Sequence, residues 1–232
     1  AFSQELSGLN SVQKQVLVER HLISREHAAR ADGSGAVIER RQTFSFMLNE
    51  EDHLRMQAIR PGLQLGSAFQ ALSELDSQLE QSLEFAFDPK LGYLTACPTN
   101  LGTGLRASSM LHLPALVLSD QIGQVLQAVN KIGLAVRGLY GEGTESLGNL
   151  YQISNQSTLG ESEETIIRRL ERVISQVATH EQNAREKLLE DDPDMVADKI
   201  GRAYGVLRYA HLIDSKEALN HLSLLRLGAT IG

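Results

Sequence analysis

After Asn155 the apolar residues of this chain change period. Ser162 starts a run in which Ile166, Ile167, Leu170, Val173, Ile174 and Val177 recur at three- and four-residue steps, the spacing of one face of a long helix. Two further helix starts follow, at Asp192-Pro193 and at Ser215. Before Asn155, strand-like runs alternate with shorter helical ones. A chain patterned this way is expected to fold as α+β, strands mostly before Asn155 and helices after it. No fixed-period repeat and no Gly/Ser/Pro linker interrupts it. Residues 1–160 therefore read as a sheet-rich core and 161–232 as a helical C-terminal part of the same domain.

Local patterns place the elements. Thr43 to Leu48 reads as a half-buried strand, with Phe44, Phe46 and Leu48 on one side and Ser45, Met47 and Asn49 on the other. Phe69, Leu72, Leu75, Leu79 and Leu83 mark an amphipathic helix over Gly66–Phe85. Gly92–Cys97 and Leu105–Leu113 read as strands joined by a loop containing Pro98, Asn100, Gly102 and Gly104. Ser119 is suited to cap a helix carrying Ile122, Val125, Leu126 and Val129, and Gly133 to the left-handed residue after its end. Strands at Leu134–Arg137 and Tyr151–Ser154 complete the first part.

Composition removes several classes of function. Cys97 is the one cysteine, so no internal disulfide forms, and no run of eighteen apolar residues exists to cross a bilayer. The net charge of −7 argues against a general nucleic-acid or anionic-membrane surface, so a polyanion would need a local site. Sixteen of the 22 basic residues are Arg, the side chain whose planar fork grips phosphate or carboxylate in fixed geometry. The chain begins with Ala and shows no signal-peptide pattern, which reads as a cytoplasmic protein given as a fragment.

The common nucleotide-binding signatures are missing: there is no P-loop, no G-x-G-x-x-G opening a helix, and no H-R-D or D-F-G. Three segments instead combine an arginine with carboxylates or glycine beside a strand. In Asn49-Glu-Glu-Asp-His-Leu-Arg55 an extended backbone would put Glu51, His53 and Arg55 on one side; the segment also reads as a solvated turn with a surface ion pair. In Cys97 through Ser108, Gly102 and Gly104 let backbone N–H groups approach an anion, and Arg106, Ser108, Met110 and His112 share a strand face; a lone cysteine such as Cys97 is more often an inert core residue than a reactive thiol, though its place at a loop edge narrows that difference. In Arg137-Gly-Leu-Tyr-Gly-Glu-Gly-Thr-Glu145 the glycines permit a loop that brings Arg137 and Glu142 to one site, or form an ordinary connection.

These three blocks, in this order and spacing, resemble the signature blocks of the ATP:guanido phosphotransferases. With Leu147-Gly-Asn-Leu-Tyr-Gln-Ile-Ser-Asn-Gln156 the third is similar to bacterial protein-arginine kinases of the McsB type. The resemblance implies a phosphagen-kinase catalytic domain, a mainly antiparallel, glutamine-synthetase-like sheet flanked by helices, with a helical C-terminal segment. It implies that Arg55, Arg106 and Arg137 bind the ATP phosphates, with Ala107, Ser108, Ser109 and Met110 and the run Gly138, Leu139, Tyr140, Gly141 and Glu142 around the nucleotide, and His21 as a further contact. Glu51 and Glu142 match the carboxylates that hold the guanidinium, and Cys97 the thiol near the acceptor nitrogen.

The activity implied is that of a kinase moving the γ-phosphoryl of ATP to arginine residues of proteins, with Mg2+ carried on phosphates and water rather than on a protein metal site. The resemblance further implies exposed arginines of protein substrates, a zinc-binding activator protein and the Clp proteolytic machinery as partners in a stress response, with a homo-oligomer allowed. Two alternatives are a phosphagen kinase acting on a free guanidino compound and a catalytically incomplete binding or scaffold fragment. The last is motivated by the family's upstream Ser-Ser-Arg-Ile-Arg block, which this chain is expected to lack along with the family's C-terminal extension, and by the helices after Glu161, which could pair with a partner.

Overall fold

The computed structural model describes residues 2–30, 32–139 and 146–231. They group into two compact units, Ala1–Leu105 with Thr158–Glu164, and Arg106–Ser157 with Thr165–Gly232. The grouping follows contacts along the fold, whereas the 1–160 and 161–232 parts follow composition. Both units pair their strands antiparallel, giving the α+β class expected. No helix among the described residues is long and apolar enough to cross a membrane.

The first unit holds β1 (Phe2–Glu5), α1 (Ser11–Glu19), α2 (Arg25–Ala29), β2 (Gly35–Ile38), β3 (Phe44–Leu48), β4 (Leu54–Ala58), α3 (Leu65–Leu79), β5 (Phe87–Asp88) and β6 (Gly92–Tyr93). Strands β1 to β4 form one sheet in sequence order. Asn10 and Gln13 close a reciprocal capping box on α1, and the Ser24 hydroxyl caps α2 by accepting the His27 N–H. The core gathers Leu6, Val18, Ile23, Ala36 and Met47. On β3 the buried side is therefore Ser45 and Met47, while Phe44 and Phe46 are half-buried and Leu48 is exposed. Two expectations need correction. Helix α3 stops at Leu79, and Leu83 lies beyond it, 48% exposed; the apolar stripe packs against β4 at the sheet edge and buries no residue completely. The strand expected over Gly92–Cys97 is two residues long, since Pro98–Asn100 turns the chain as a short 3-10 helix.

The second unit holds β7 (Ser108–His112), α4 (Pro114–Leu118), α5 (Ile122–Lys131), β8 (Leu134–Gly138), β9 (Leu150–Asn155), most of α6 (Glu163–Asp191), α7 (Pro193–Tyr209) and α8 (Ser215–Ile231). Its sheet has β9 in the centre, between β7 and β8. Leu111, Tyr151, Ile153 and Leu134 are buried, as are all six residues of the α6 stripe picked out by periodicity. Glu181 of α6 is buried too. Its two oxygens accept the N–H groups of Ala115 and Leu116 at 3.0 Å each, capping α4, and Arg185 Nε donates to it at 2.7 Å. Ser119 is another correction. It ends α4, its hydroxyl donating back to the Ala115 carbonyl at 2.8 Å, and α5 starts after Gln121 without a side-chain cap.

Candidate functional site

In the first unit, Asn49–His53 is the turn of the β3–β4 hairpin rather than extended strand. Asn49 takes φ +58, its N–H donates to the His53 carbonyl at 2.9 Å, and its side-chain Nδ2 donates to the Gly33 carbonyl at 2.6 Å. An asparagine tolerates the left-handed conformation that closes such a turn. The period-two arrangement of Glu51, His53 and Arg55 on one face is thereby overturned.

The carboxylate that meets Arg55 is Glu50. Arg55 Nη1 donates to Glu50 Oε1 at 3.1 Å; the guanidinium is 45% exposed and the carboxylate 5%. The same Oε1 accepts the Ser24 hydroxyl at 2.6 Å, and Oε2 accepts the Glu51 N–H at 2.8 Å. Burial alone would raise the Glu50 carboxyl pKa. The bonds from Ser24 and Glu51 and the Arg55 charge outweigh it and hold the group below the usual glutamate value, so it is ionised at neutral pH. Glu51 is exposed, and its carboxylate makes no hydrogen bond or ion pair among the described residues.

The turn is also tied to the cysteine segment and to the chain after α1. Asp52 Oδ1 accepts the Ala96 N–H at 2.7 Å, next to Cys97, whose half-buried Sγ lies 3.0 Å from the Thr99 hydroxyl. His21 is exposed with φ +56, and its carbonyl accepts Gln57 Nε2 of β4 at 2.6 Å. The first unit thus links His21, Glu51, Arg55 and Cys97 through β4 and one hairpin turn. Sequence reasoning passed over Glu50 and Asp52, although five polar residues between two apolar runs are themselves a hairpin signal.

In the second unit, register puts Met110 and Arg137 opposite Gln152 on either side of β9, and Ser108 opposite Ser154. Ser108, Met110, Gln152 and Arg137 therefore share a face, largely exposed, and Gln152 Nε2 donates to the Ser108 hydroxyl at 2.9 Å. Ser109 points to the other side with Ile153. Arg106 precedes β7 instead of lying in it; its Nη1 reaches the Asn155 carbonyl at 3.4 Å, three residues along β9 from Gln152. Ala107 is buried, its N–H donating to Asn155 Oδ1 at 2.8 Å. Gly138 pairs with Tyr151, and the Leu139 N–H donates to the Leu150 carbonyl at 2.9 Å. Tyr140, Gly141 and Glu142 lie outside the described residues.

Each unit thus offers an exposed guanidinium fork on an antiparallel sheet, Arg55 in the first and Arg137 in the second, suited to a multiply charged oxyanion, and the first adds an exposed carboxylate on a braced turn. Among the described residues, no group of three or more His, Cys, Asp or Glu is placed to hold a metal ion.

Residues 3–184 match the family model of the ATP:guanido phosphotransferase C-terminal catalytic domain, and residues 193–232 that of the protein-arginine kinase McsB C-terminal domain. The chain is 52% identical over 228 residues to a protein-arginine kinase of Halothermothrix orenii, covering 98% of this chain and 65% of that protein. It is 53% identical to one from Moorella thermoacetica (97% and 65%) and 50% identical to one from Geobacillus stearothermophilus (98% and 63%). The chain thus spans 63–65% of the length of these relatives. Among solved structures it is similar to a duplicated taurocyamine kinase from Schistosoma mansoni with bound transition-state-analogue components, with TM-score 0.70 and 25% identity over 93% of this chain and 34% of that one. It is also similar to a lombricine kinase, with TM-score 0.64 and 27% identity over 78% and 53%.

Proposed function

Because this chain belongs to the ATP:guanido phosphotransferase family, we propose that it carries the machinery of an enzyme transferring the γ-phosphoryl group of ATP to arginine side chains in proteins. The observation that carries the choice of acceptor is the match of residues 193–232 to the McsB C-terminal domain, beside relatives near 50% identity that are protein-arginine kinases. The likeness to taurocyamine and lombricine kinases, at 25–27% identity, supports the common chemistry and leaves a free guanidino acceptor as the second reading.

The roles follow from charge. Phosphoryl transfer depends on positioning and on neutralising charge at the transferring group, which guanidinium forks at Arg55, Arg106 and Arg137 supply without a P-loop lysine. Backbone around Ala107, Ser108, Ser109 and Met110, and from Gly138 onward, would line the nucleotide, with His21 as a further contact. An arginine acceptor has a pKa above about 12, so its nitrogen attacks only as a proton leaves. Glu51 takes that proton while the N–P bond forms and the bond from phosphorus to the ADP oxygen breaks. Glu142 aligns the planar acceptor, and Cys97 stands beside it. Magnesium belongs to this picture as part of the nucleotide, held by phosphates and water, because the ion keeps several waters and needs few protein ligands. A cytoplasmic stress-response setting, a zinc-binding activator and Clp proteolysis complete the proposal.

The test is transfer from ATP by the full-length protein, read as acid-labile phosphoarginine, with an arginine-bearing protein and free arginine in competition. Label on the protein is expected. Label on free arginine alone would move the assignment to the second reading.

A further inference from the structure

We infer that Glu50 is a positioning residue that sets the phosphate-side Arg55 and the acceptor-side Glu51 from one buried carboxylate. The inference rests on the phosphoryl-transfer reading above and adds a residue to it. Glu50 has three donors on two oxygens: Ser24 and Arg55 on Oε1, the Glu51 N–H on Oε2. Ser24 in turn is fixed as the cap of α2, through the His27 N–H at 2.9 Å. The carboxylate is thus anchored from the helix and distributes that anchor to two groups lying four residues apart in the hairpin.

The arrangement does more than stabilise the turn. Burying a carboxylate carries a desolvation penalty, which the Ser24 and Glu51 bonds and the Arg55 charge outweigh here, and those same bonds fix the placement of Arg55 and Glu51. Arg55 is 45% exposed, so its guanidinium is held in place without being consumed by the core. Glu51 is bound by its backbone alone, which leaves its carboxylate open to the acceptor. Both observations suit a residue that orders its neighbours for a third body. The Asp52 bond to Ala96 braces the far side of the same turn, so loss of Glu50 would loosen one side only.

Glu50→Gln discriminates, because an amide cannot accept from all three donors. With its oxygen toward Ser24 and Arg55, the NH2 faces the Glu51 N–H; flipped, it faces the Arg55 guanidinium. In the full-length protein Glu50→Gln is expected to raise the ATP KM about tenfold and to lower kcat about 10- to 100-fold. In an Arg55→Ala background the same change is expected to leave the ATP KM within about twofold while still lowering kcat, since Glu50 reaches the nucleotide through Arg55 but reaches the acceptor side independently. A KM effect of full size in that background, or unchanged KM and kcat in Glu50→Gln, overturns the inference while transfer by the unaltered protein keeps the functional reading intact. No transfer by the unaltered protein overturns both. If Glu50→Gln does not fold, Ser24→Ala decides: a rise of about threefold in ATP KM supports the role, and a folded variant with unchanged KM and kcat ends it.

Discussion

Asp52 accepts the backbone N–H of Ala96 at 2.7 Å across 44 residues of sequence, joining the turn that carries Glu51 to the segment that leads into Cys97. The proton acceptor and the thiol of the proposed site are therefore mounted on one braced scaffold, and Glu51 can be altered without loosening it. Its carboxylate is exposed and carries no bond among the described residues. Glu51→Gln is expected to lower kcat by about 10²–10³ with the ATP KM within about twofold, and to leave the melting temperature unchanged. Steady-state phosphoarginine formation and a thermal melt of the same preparation check both halves.

The hairpin also shows where the sequence was readable. Three motif blocks carried the family, because Arg, Glu and Gly at those spacings are set by the chemistry of the ligand. The long helices were readable because α6 buries a full stripe, from Ile166 to Val177, and periodicity reports burial directly. Glu50 was not, since nothing local distinguishes it from Glu51; the difference is the Ser24 hydroxyl arriving from 26 residues upstream. The extended reading of Glu51, His53 and Arg55 failed at Asn49, whose left-handed φ turns the chain before the alternation can begin. Ser119 failed for a related reason: a serine can cap the following helix or bond back to the preceding turn, and only the position of α4 decides between them.

His112 gives a prediction in pH. Its Nε2 lies 2.8 Å from the buried Ser223 hydroxyl of α8, which also accepts from Asn149 Nδ2 at 2.8 Å. Burial, with the Arg226 and Arg185 charges nearby, pushes the imidazole pKa down to about 4 from 6.5. The fold therefore favours the neutral ring. Between pH 6.5 and 4 the unfolded chain binds the proton that the folded one refuses, so this contribution to stability is complete above about pH 6.5 and is lost as the pH falls toward 4. The melting temperature is expected to drop by about 2–4 °C more in the unaltered protein than in His112→Gln over that window. Parallel slopes for the two proteins would exclude His112 as the source.

Gly102 has φ +108, and a Cβ there would stand 2.6 Å from the Thr158 carbonyl oxygen, within the first unit. Thr158 is itself buried and donates its hydroxyl to the carbonyls of Thr99 and Leu101, so the opposing backbone has little room to withdraw. Gly102→Ala is expected to cost about 1–3 kcal/mol in urea unfolding, from backbone strain and the clash together. Gly62→Ala is the comparison, with φ +72 but nothing within 4 Å of the added carbon, and should cost less.

Arg137 tests the guanidinium forks of the second unit. It lies on the exposed face of β8 opposite Gln152, beside Met110 and Ser108 across the sheet, and among the described residues it is held by the strand's backbone pairing, its side chain making no hydrogen bond or ion pair with them. Arg137→Lys keeps the charge and removes the planar pair of donors, which a phosphate uses in two parallel bonds. The ATP KM is expected to rise about tenfold and kcat to fall by a similar factor, since a point charge stabilises the transferring group without orienting it. Stability should change by less than about 0.5 kcal/mol, because an exposed strand position gains little from either side chain. A nucleotide titration alongside the kinetics separates the outcomes. Unchanged affinity with unchanged kcat would remove Arg137 from the phosphate site, whereas weakened affinity in a variant that melts normally places its role in the fork and not in the fold.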